Sequence, residues 1–402
     1  MNNTIRKYRI SGIAGAVLAM IAVFLSPACD LEEIEPGAPP PTFEQHFVAA
    51  ANTNVTVASV VEAVDSGFIV SGYLTYTNFN GTSLFVCKTT PSGSVQQTVV
   101  NFGMTGSSEG GKLIRTNDNH YLLVGTGNLP GDNGGDANMV AIKLKPDLTA
   151  AWKVSLGTAA LERGTALVET GDGHYIIAGS QESGTEEDPY FFKIRADNGA
   201  KVDEGASVFS GIGRYLPVSI VKNGSSYGLI CYNFSVSILS PYFIKINDNL
   251  DVSVQKSLGN VGNGNGEITA GNADGFVLAD GFSAQTGAHA YLLSLNGNGD
   301  ELGEFNLFGS AEYSGLYTMT KTDGGKYVPA GWAQFPAATN GVAVAALVSS
   351  AFNTEKSYQY PTTTDFSDFT AVAALKSGGY ILAGRFGLKE ILLVRLNANF
   401  TL

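Results

Sequence analysis

Arg163 and Arg214 are the residues of this 402-residue chain whose type and spacing most clearly indicate a chemistry. Each precedes, by twelve or thirteen residues, an aromatic residue that recurs along the chain. A repeating fold places such equivalent positions side by side, so we expect the two arginines to be neighbours. A guanidinium can hold a carboxylate through two parallel hydrogen bonds. The pair therefore predicts a binding site for an anionic group.

Acidic and aromatic residues at comparable positions extend this candidate site. Tyrosine and tryptophan rings can stack on a sugar or fill a pocket of a partner protein. The predicted ligand-binding residues are Glu162, Arg163, Arg214, Tyr215, Glu312, Tyr313 and Trp332. The alternative is that the arginines pair with Glu162 and other loop acids on a merely solvated surface.

A possible nucleophile motif, G-x-S-x-G, occurs at residues 106–110 and contains Ser108. That motif is catalytic only between a strand and a helix, whereas here it falls in a glycine-rich connection. His120 and His174 stand at the same position of adjacent repeats, but two histidines without a third ligand make a poor metal site. The sequence therefore predicts no catalytic residue and no metal site.

Two glycine-rich segments leave calcium as an open alternative to an absence of cofactors. Residues 296–300, NGNGD, alternate oxygen-bearing side chains with glycine, and Asp132 to Asp136 encloses a second acidic loop. Neither segment completes an EF-hand loop, which requires a glutamate at its twelfth position. A hairpin turn and a solvated loop are the simpler interpretations.

A repeat of 49 to 54 residues organises the chain around these candidates. The seven copies share an aromatic anchor: Phe68, Tyr121, Tyr175, Tyr227, Phe276, Tyr327 and Tyr380. Five copies have a glycine four residues after the anchor: Gly72, Gly125, Gly179, Gly331 and Gly384. Each copy divides into short extended runs separated by Asp- and Gly-rich turns, which is typical of a propeller blade. We expect an all-β, seven-bladed propeller of four-stranded blades.

The last copy lacks a fourth run, and residues 43–52 before the first copy supply a strand-like segment. We expect this segment to close the ring by pairing with the last blade, because closure removes a free sheet edge. The second-to-third-strand loops and the blade connections emerge at one end of such a ring. These loops are the long ones and carry the candidate residues, as binding loops on rigid scaffolds commonly do.

The phrase GGYILAG followed by LLVRLNAN, residues 378–384 and 392–399, resembles the delta-sixty type of repeat of secreted bacterial propellers. The resemblance covers residues 54–402 and implies the propeller fold without a single activity. Near the N-terminus, LSPAC at residues 25–29 resembles the lipobox of bacterial lipoproteins, and the acidic, proline-rich residues that follow resemble the tether of Bacteroidetes-type surface lipoproteins. This resemblance implies that Cys29 is lipidated.

Residues 1–28 have the basic start, apolar run and small-residue end of a secretory signal. We expect residues 1–28 to be the signal peptide, 29–42 a flexible tether and 43–402 the propeller; plain cleavage near Ala28 is the alternative to lipidation. The repeat separates Cys87 from Cys231 by three copies, which argues against a disulfide between them. The net charge of −12 should repel nucleic acid.

These observations predict an exported, lipid-anchored protein on the outer membrane, at the cell surface, that touches the membrane only through its anchor. We expect a non-catalytic binding or scaffolding module whose partner is an envelope protein or an extracellular glycan. Two alternatives remain: a propeller enzyme acting on an extracellular polysaccharide or peptide through acid pairs on the loops, and a structural subunit of an envelope complex.

Overall fold

The computed structural model describes residues 41–402 except 133–136, 159, 208, 210–212, 236–238, 260–261, 263, 282–288, 337–338 and 362–364. The predicted signal peptide, Cys29 and nearly all of the predicted tether lie outside the described residues. Among the described residues, no helix has the length and the apolar character that crossing a membrane requires.

The described chain folds into 28 strands. The closing strand and the first three blades comprise β1 (Phe43–Val48), β2 (Thr53–Glu62), β3 (Phe68–Tyr76), β4 (Thr82–Thr89), β5 (Val95–Val100), β6 (Thr105–Arg115), β7 (Tyr121–Asn128), β8 (Asn138–Leu144), β9 (Ala150–Leu156), β10 (Glu162–Glu169), β11 (His174–Ser183), β12 (Glu186–Arg195) and β13 (Lys201–Ala206). The fourth to seventh blades comprise β14 (Tyr215–Asn223), β15 (Ser226–Asn233), β16 (Pro241–Asn247), β17 (Val252–Ser257), β18 (Glu267–Ala270), β19 (Phe276–Gly281), β20 (Ala290–Leu295), β21 (Glu301–Leu307), β22 (Tyr313–Lys321), β23 (Tyr327–Gln334), β24 (Val342–Val348), β25 (Thr354–Gln359), β26 (Ser367–Ala374), β27 (Tyr380–Phe386) and β28 (Glu390–Leu396).

These strands form seven four-stranded antiparallel sheets, which are the seven blades of a β-propeller. Six sheets are built from four consecutive strands, and the seventh has the order β1-β28-β27-β26. The register of the closing pair runs from Phe43 opposite Arg395 to Val48 opposite Glu390. The predicted fold and its closure by an N-terminal strand are confirmed; the strand ends at Val48, four residues earlier than the expected segment.

The repeated aromatic anchors lie at or next to the start of the second strand of each blade and are buried. The repeat glycines face a bulge of the first strand, as between Val57 and Ser59 in the first blade. A Cβ at Gly72 would lie 2.0 Å from the carbonyl oxygen of Thr56, and one at Gly179 would lie 1.7 Å from that of Arg163. The glycine therefore recurs because the bulged strand leaves no room for a side chain.

An apolar cluster fills each of the seven interfaces between neighbouring blades in the described structure. The first strands surround the central channel. The apolar residues eight positions before the anchors, such as Val60, Leu113 and Met319, line a channel cavity of about 240 Å³, the lower cavity. Cys87 on β4 and Cys231 on β15 are buried free thiols in the first and fourth blades. Their separation agrees with the predicted lack of a disulfide.

Candidate functional site

The blade connections and the second-to-third-strand loops together form what we call the loop-rich end of the propeller. Arg163, near the start of β10, and Arg214, just before β14, both lie there. The Arg163 Nε donates to Glu187 Oε1 at 3.0 Å, and the Arg214 Nε donates to Glu187 Oε2 at 2.8 Å. The expected proximity of the two arginines is confirmed, and Glu187 is the residue that joins them.

Glu187 is buried, with 1% of its surface exposed, whereas Arg214 keeps 48% of its side chain exposed. Ser180 Oγ donates a third hydrogen bond to Glu187 at 2.6 Å, and Glu109 pairs with Arg163 at 3.4 Å. The two arginines are thus balanced by two acids, and removing both would leave the Glu187 carboxylate buried without a cation. This arrangement connects the third blade to the fourth. It also leaves the Arg214 guanidinium partly exposed.

Two predicted ligand-binding residues, Glu162 and Tyr215, are buried at this end. Glu162 accepts hydrogen bonds from the Thr158 amide at 3.0 Å and from Gln181 Nε2 at 3.0 Å. The Tyr215 ring stacks on Phe209 with a centroid distance of 4.0 Å. These two side chains support the surface and do not form it.

The other predicted residues lie on the sixth blade, away from the arginines. Glu312 and Tyr313 are exposed, the latter by 42%. Trp332 is half-buried on β23 and lies 5.9 Å from the Phe366 ring, between centroids. The expectation that Trp332 would stand beside Arg163 and Arg214 is therefore wrong, because two blade boundaries separate the fourth blade from the sixth.

A second cavity, the mouth cavity, lies where the channel meets the loop-rich end and has a volume of about 390 Å³. Its lining comes from the starts of first strands and the ends of second strands: Thr56, Val57, Ala58, Tyr73, Gly110, Lys112, Val218, Asn265, Tyr317, Thr370 and Arg385. This lining includes two cations and no Asp or Glu. In a chain with a net charge of −12, that local composition is distinctive.

Arg385, on β27, is the first of the two cations. Asp368 is fully buried and accepts hydrogen bonds from the Arg385 backbone amide at 3.1 Å and from its Nε at 3.1 Å, and pairs with its Nη2 at 2.5 Å. Burial by itself would lower the pKa of the guanidinium, but the hydrogen bonds and the charge of Asp368 outweigh it and raise that pKa. Arg385 lines the mouth cavity, whereas Asp368 does not.

Lys112, on β6, is the second cation and lines both the mouth cavity and the lower cavity. Its Nζ lies 2.9 Å from Glu267 Oε2 on β18, so this ion pair spans the channel from the second blade to the fifth. Ser219 Oγ donates to the other Glu267 oxygen at 2.5 Å. Glu267 lines only the lower cavity, so the lysine is the member of this ion pair that contributes to the mouth cavity.

Tyr73 and Tyr317 complete the aromatic part of the lining, and both are half-buried. Burial, with a smaller contribution from Asp368, raises the pKa of Tyr317 to about 12, so its hydroxyl keeps its proton at neutral pH. The Trp332 side chain lies close enough to this hydroxyl to lower its pKa slightly, and Trp332 is thus the predicted residue most closely connected to the cavity. Tyr73, Trp332 and Arg385 each directly follow a repeat glycine. Since Trp332 was predicted as a site residue, the same position in the other copies could have identified Tyr73 and Arg385 from the sequence.

The remaining sequence candidates have structural roles in the described chain. Ser108 lies within β6 rather than in a loop, is buried, and its Oγ accepts a hydrogen bond from the Leu84 amide at 3.0 Å. In NGNGD, Asn296 Oδ1 accepts the Asn298 and Asp300 amides at 2.9 Å each, which makes this segment a hairpin turn. Residues 133–136 of the other calcium candidate lie outside the described residues.

His120 and His174 lie beside Asp118 and Asp172, at 3.6 Å and 3.2 Å, on the tight turns of the opposite end. Within the described ranges, no group of three His, Cys, Asp or Glu residues has the arrangement that a metal ion requires. Neither histidine lines the mouth cavity.

Solved structures that align with a TM-score above 0.5 support the fold. A polysaccharide lyase of family PL25, an ulvan lyase bound to -[GlcA(1-4)Rha3S]-, aligns with a TM-score of 0.57 at 10% identity over 88% of this chain and 96% of its own. BBS1N in complex with ARL6DN aligns with a TM-score of 0.52 at 12% identity over 89% and 97%. The β-propeller domain of the Trilobed protease from Pyrococcus furiosus gives 0.49 at 8% identity over 88% and 96%. No family model and no curated protein sequence matches this chain.

Proposed function

We propose that this protein is a lipid-anchored, non-catalytic binding module of the outer membrane that captures an acidic extracellular glycan at its loop-rich end. The observation that carries the proposal is the mouth cavity, which presents two cations and two tyrosines and no carboxylate. A concave site with a few convergent polar groups is the usual form of a small-ligand site. A sugar unit of a larger polymer matches that form better than the flat face of a folded protein.

Exposed aromatic rings around the same end support a glycan partner. Phe79 is 56% exposed and stacks on Tyr76 with a centroid distance of 4.4 Å. Tyr313 is 42% and Phe234 is 40% exposed. Exposed rings such as these bury their faces readily against sugars or against protein, and they give a long polymer contacts beyond the cavity.

The distribution of acids favours binding over turnover. General acid and base catalysis by two carboxyl groups requires both of them to reach the scissile bond. In the described structure Asp368 and Glu267 are paired with the two cavity cations, and neither acid is part of the mouth-cavity lining. The ulvan lyase is a propeller whose bound ligand contains glucuronate, so this fold can hold such a ligand, although the likeness extends only to the fold.

The proposed anchor is Cys29, at the end of a signal-like segment that resembles a lipobox. A diacylated N-terminal cysteine provides the two hydrocarbon chains that stable membrane attachment requires. The acidic and proline-rich residues after it would hold the propeller away from the bilayer. Placement at the cell surface gives the loop-rich end access to extracellular polymers.

A binding assay with immobilised polymers tests this function. We expect the purified protein to be retained on polygalacturonate and not on neutral dextran. A Phe79→Ala/Tyr313→Ala double variant should bind polygalacturonate at least fivefold more weakly, because each lost ring contact contributes on the order of 0.5–1 kcal/mol. Leu302→Ala, at a residue on the outer strand β21 that is even more exposed than Phe79 and Tyr313, is the control and should bind normally.

Three results would overturn the proposal. Equal retention on both polymers would remove the acidic glycan as the ligand. Release of new reducing or unsaturated ends from polygalacturonate would identify the protein as an enzyme. Stoichiometric recovery of an envelope protein after crosslinking on cells, without glycan binding, would replace the glycan by a protein partner.

A further inference from the structure

We infer that the mouth cavity is a binding site for a single carboxylate-bearing sugar residue, a hexuronate, with Arg385 as the group that binds its carboxylate. The inference rests on the proposed function and assigns the acidic unit of the glycan to particular residues. The cavity volume of about 390 Å³ falls within the range of roughly 300–1,000 Å³ that is usual for small-ligand sites.

The guanidinium of Arg385 has a free edge that matches a carboxylate. Asp368 takes up Nε and one N–H of Nη2. Nη1 has no hydrogen-bond partner among the described residues, and 29% of the side chain is exposed. The Nη1–Nη2 edge can therefore form a second bidentate contact with a carboxylate. Asp368 fixes the plane of the guanidinium in advance, which reduces the entropy lost on binding.

Lys112 adds a second positive charge on the floor of the cavity. Its ammonium uses one contact for Glu267 and has two further N–H donors, and 27% of its side chain is exposed. Lys112 lines the mouth cavity, whereas Glu267 lines only the lower cavity. The two charged residues of the mouth-cavity lining are therefore both positive, and the acid paired with each of them is outside the lining.

The tyrosines and a threonine make the site suited to a sugar and not only to an anion. The Tyr317 hydroxyl keeps its proton at neutral pH and can donate a hydrogen bond to a ligand. Thr370 donates its hydroxyl to the Val57 carbonyl at 2.9 Å and so offers an acceptor lone pair. The rings of Tyr73 and Tyr317 can pack against sugar C–H groups.

Calorimetric titration of the full processed protein with single sugars tests this assignment. The probes are galacturonate and glucuronate. Galactose and glucose are the matched neutral sugars, and glutamate is the control that has a carboxylate but no sugar ring. We expect at least one uronate to bind with 1:1 stoichiometry and at least tenfold more tightly than its neutral match and than glutamate. Equally tight binding of the neutral sugar would show that the site does not recognise the carboxylate. Equally tight binding of glutamate would show that it does not recognise the sugar ring.

Variants assign the binding to Arg385. Arg385→Gln alone would leave Asp368 buried without a cation, so the Asp368→Asn/Arg385→Gln double variant removes both charges together. We expect it to lose at least tenfold in uronate affinity, and Lys112→Met to lose a smaller factor. Arg195→Gln removes an arginine that is paired with Asp197 outside the cavity and should bind uronate like the wild type. An equal loss in Arg195→Gln, or full binding by the double variant, would overturn the assignment.

This result is separable from that of the polymer assay. If polygalacturonate is retained but no uronate binds at the cavity, the hexuronate site is wrong and the proposed function stands. If the uronate binds through Arg385 and the polymer is not retained, the proposed function falls and the cavity site stands.

Discussion

At the scale of single residues, the buried thiols of Cys87 and Cys231 give a reference against which the state of Cys29 can be measured. Cys87 and Cys231 are completely buried, and burial raises the pKa of the Cys87 thiol to about 11 and that of Cys231 still further. A thiol is reactive only as an accessible thiolate. Neither residue should therefore react while the propeller is folded, and both should react once it unfolds.

Thiol counting then tests the proposed lipidation of Cys29. We expect a disulfide reagent at pH 8 to label no thiol in the native membrane-derived protein and two thiols in guanidinium. Cys29→Ser should give the same counts and move the protein from the membrane fraction to the soluble fraction. One reactive native thiol that disappears in Cys29→Ser, or unchanged fractionation of that variant, would contradict the anchor.

The sequence predicted that Arg163 and Arg214 lie near each other, but not which way the side chains of the adjacent residues point. Glu162 and Arg163 are adjacent, as are Arg214 and Tyr215, and side chains next to each other on a strand point to opposite faces. Exposing Arg163 and Arg214 therefore buries Glu162 and Tyr215. Glu187 could not be predicted as the joining acid, because it comes from another strand and its role depends on how two blades meet.

At the scale of elements, lysines of the third strands fasten the turns between first and second strands. Lys88, Lys143 and Lys193 pair with the turn residues Asp65, Asp118 and Asp172 at 2.7, 3.0 and 2.9 Å. Only 2% of the Lys143 side chain is exposed, and its ammonium lies 4.7 Å from the centre of the Tyr175 ring in the next blade. These lysines therefore connect strands within a blade and, for Lys143, neighbouring blades.

This geometry predicts unequal costs for removing the two partners of the Lys143–Asp118 pair. Asp118→Asn leaves a charged lysine buried and should cost about 2–4 kcal/mol. Lys143→Met leaves an acid that is 53% exposed and can be hydrated, so it should cost less than Asp118→Asn. Asp197→Asn, which breaks the exposed Arg195–Asp197 pair, is the control and should change the free energy of unfolding far less than Asp118→Asn, because water screens exposed ion pairs. Urea unfolding at pH 7 measures all three.

The pH dependence of Asp118→Asn follows from the same contact. Burial would raise the pKa of the Asp118 carboxyl, but hydrogen bonds from Thr116 and Lys143 outweigh it and hold that pKa below its usual value. A lowered folded-state pKa gives stability that is present above about pH 4 and is lost as the pH falls through the folded value. The difference between wild type and Asp118→Asn should therefore shrink as the pH falls below about 4 and through the lowered folded-state pKa; a constant difference would contradict the pairing.

The repeat pattern predicted the strands because every blade uses the same local arrangement of an aromatic anchor, a glycine and tight turns. The aromatic anchor and its glycine mark the second strand, and the bulge opposite the glycine explains the spacing. The mouth cavity could not be predicted from the repeat pattern. Lys112, Tyr317 and Arg385 come from the second, sixth and seventh blades, and only the closed ring brings them to one cavity.

At the scale of the whole molecule, the closing strand holds the two ends of the chain together and touches blades on both sides. Tyr358 Oη of the sixth blade is hydrogen-bonded to Glu44, and His46 lies 2.6 Å from the hydroxyl of Tyr360. On the other side, the Phe43 ring lies 5.8 Å from Phe68 of the first blade. The strand therefore fills both boundaries of the seventh blade as well as pairing with β28.

Deleting residues 43–48 should accordingly weaken the entire ring and not only its last sheet. Loss of the partly buried Phe43 and Phe47 and of the β28 pairing should cost about 3–5 kcal/mol and lower the melting temperature by roughly 5–10 °C. The unpaired edge of β28 should also promote self-association, because an exposed strand offers its backbone groups to another chain. A peptide of residues 41–50 added in excess should bind that edge and restore both the melting temperature and the monomer, whereas a scrambled peptide should not. Deleting six tether residues, 31–36, is the matched control and should change neither property. A 43–48 deletion that stays monomeric with an unchanged melting temperature would show that the ring does not depend on this strand for closure.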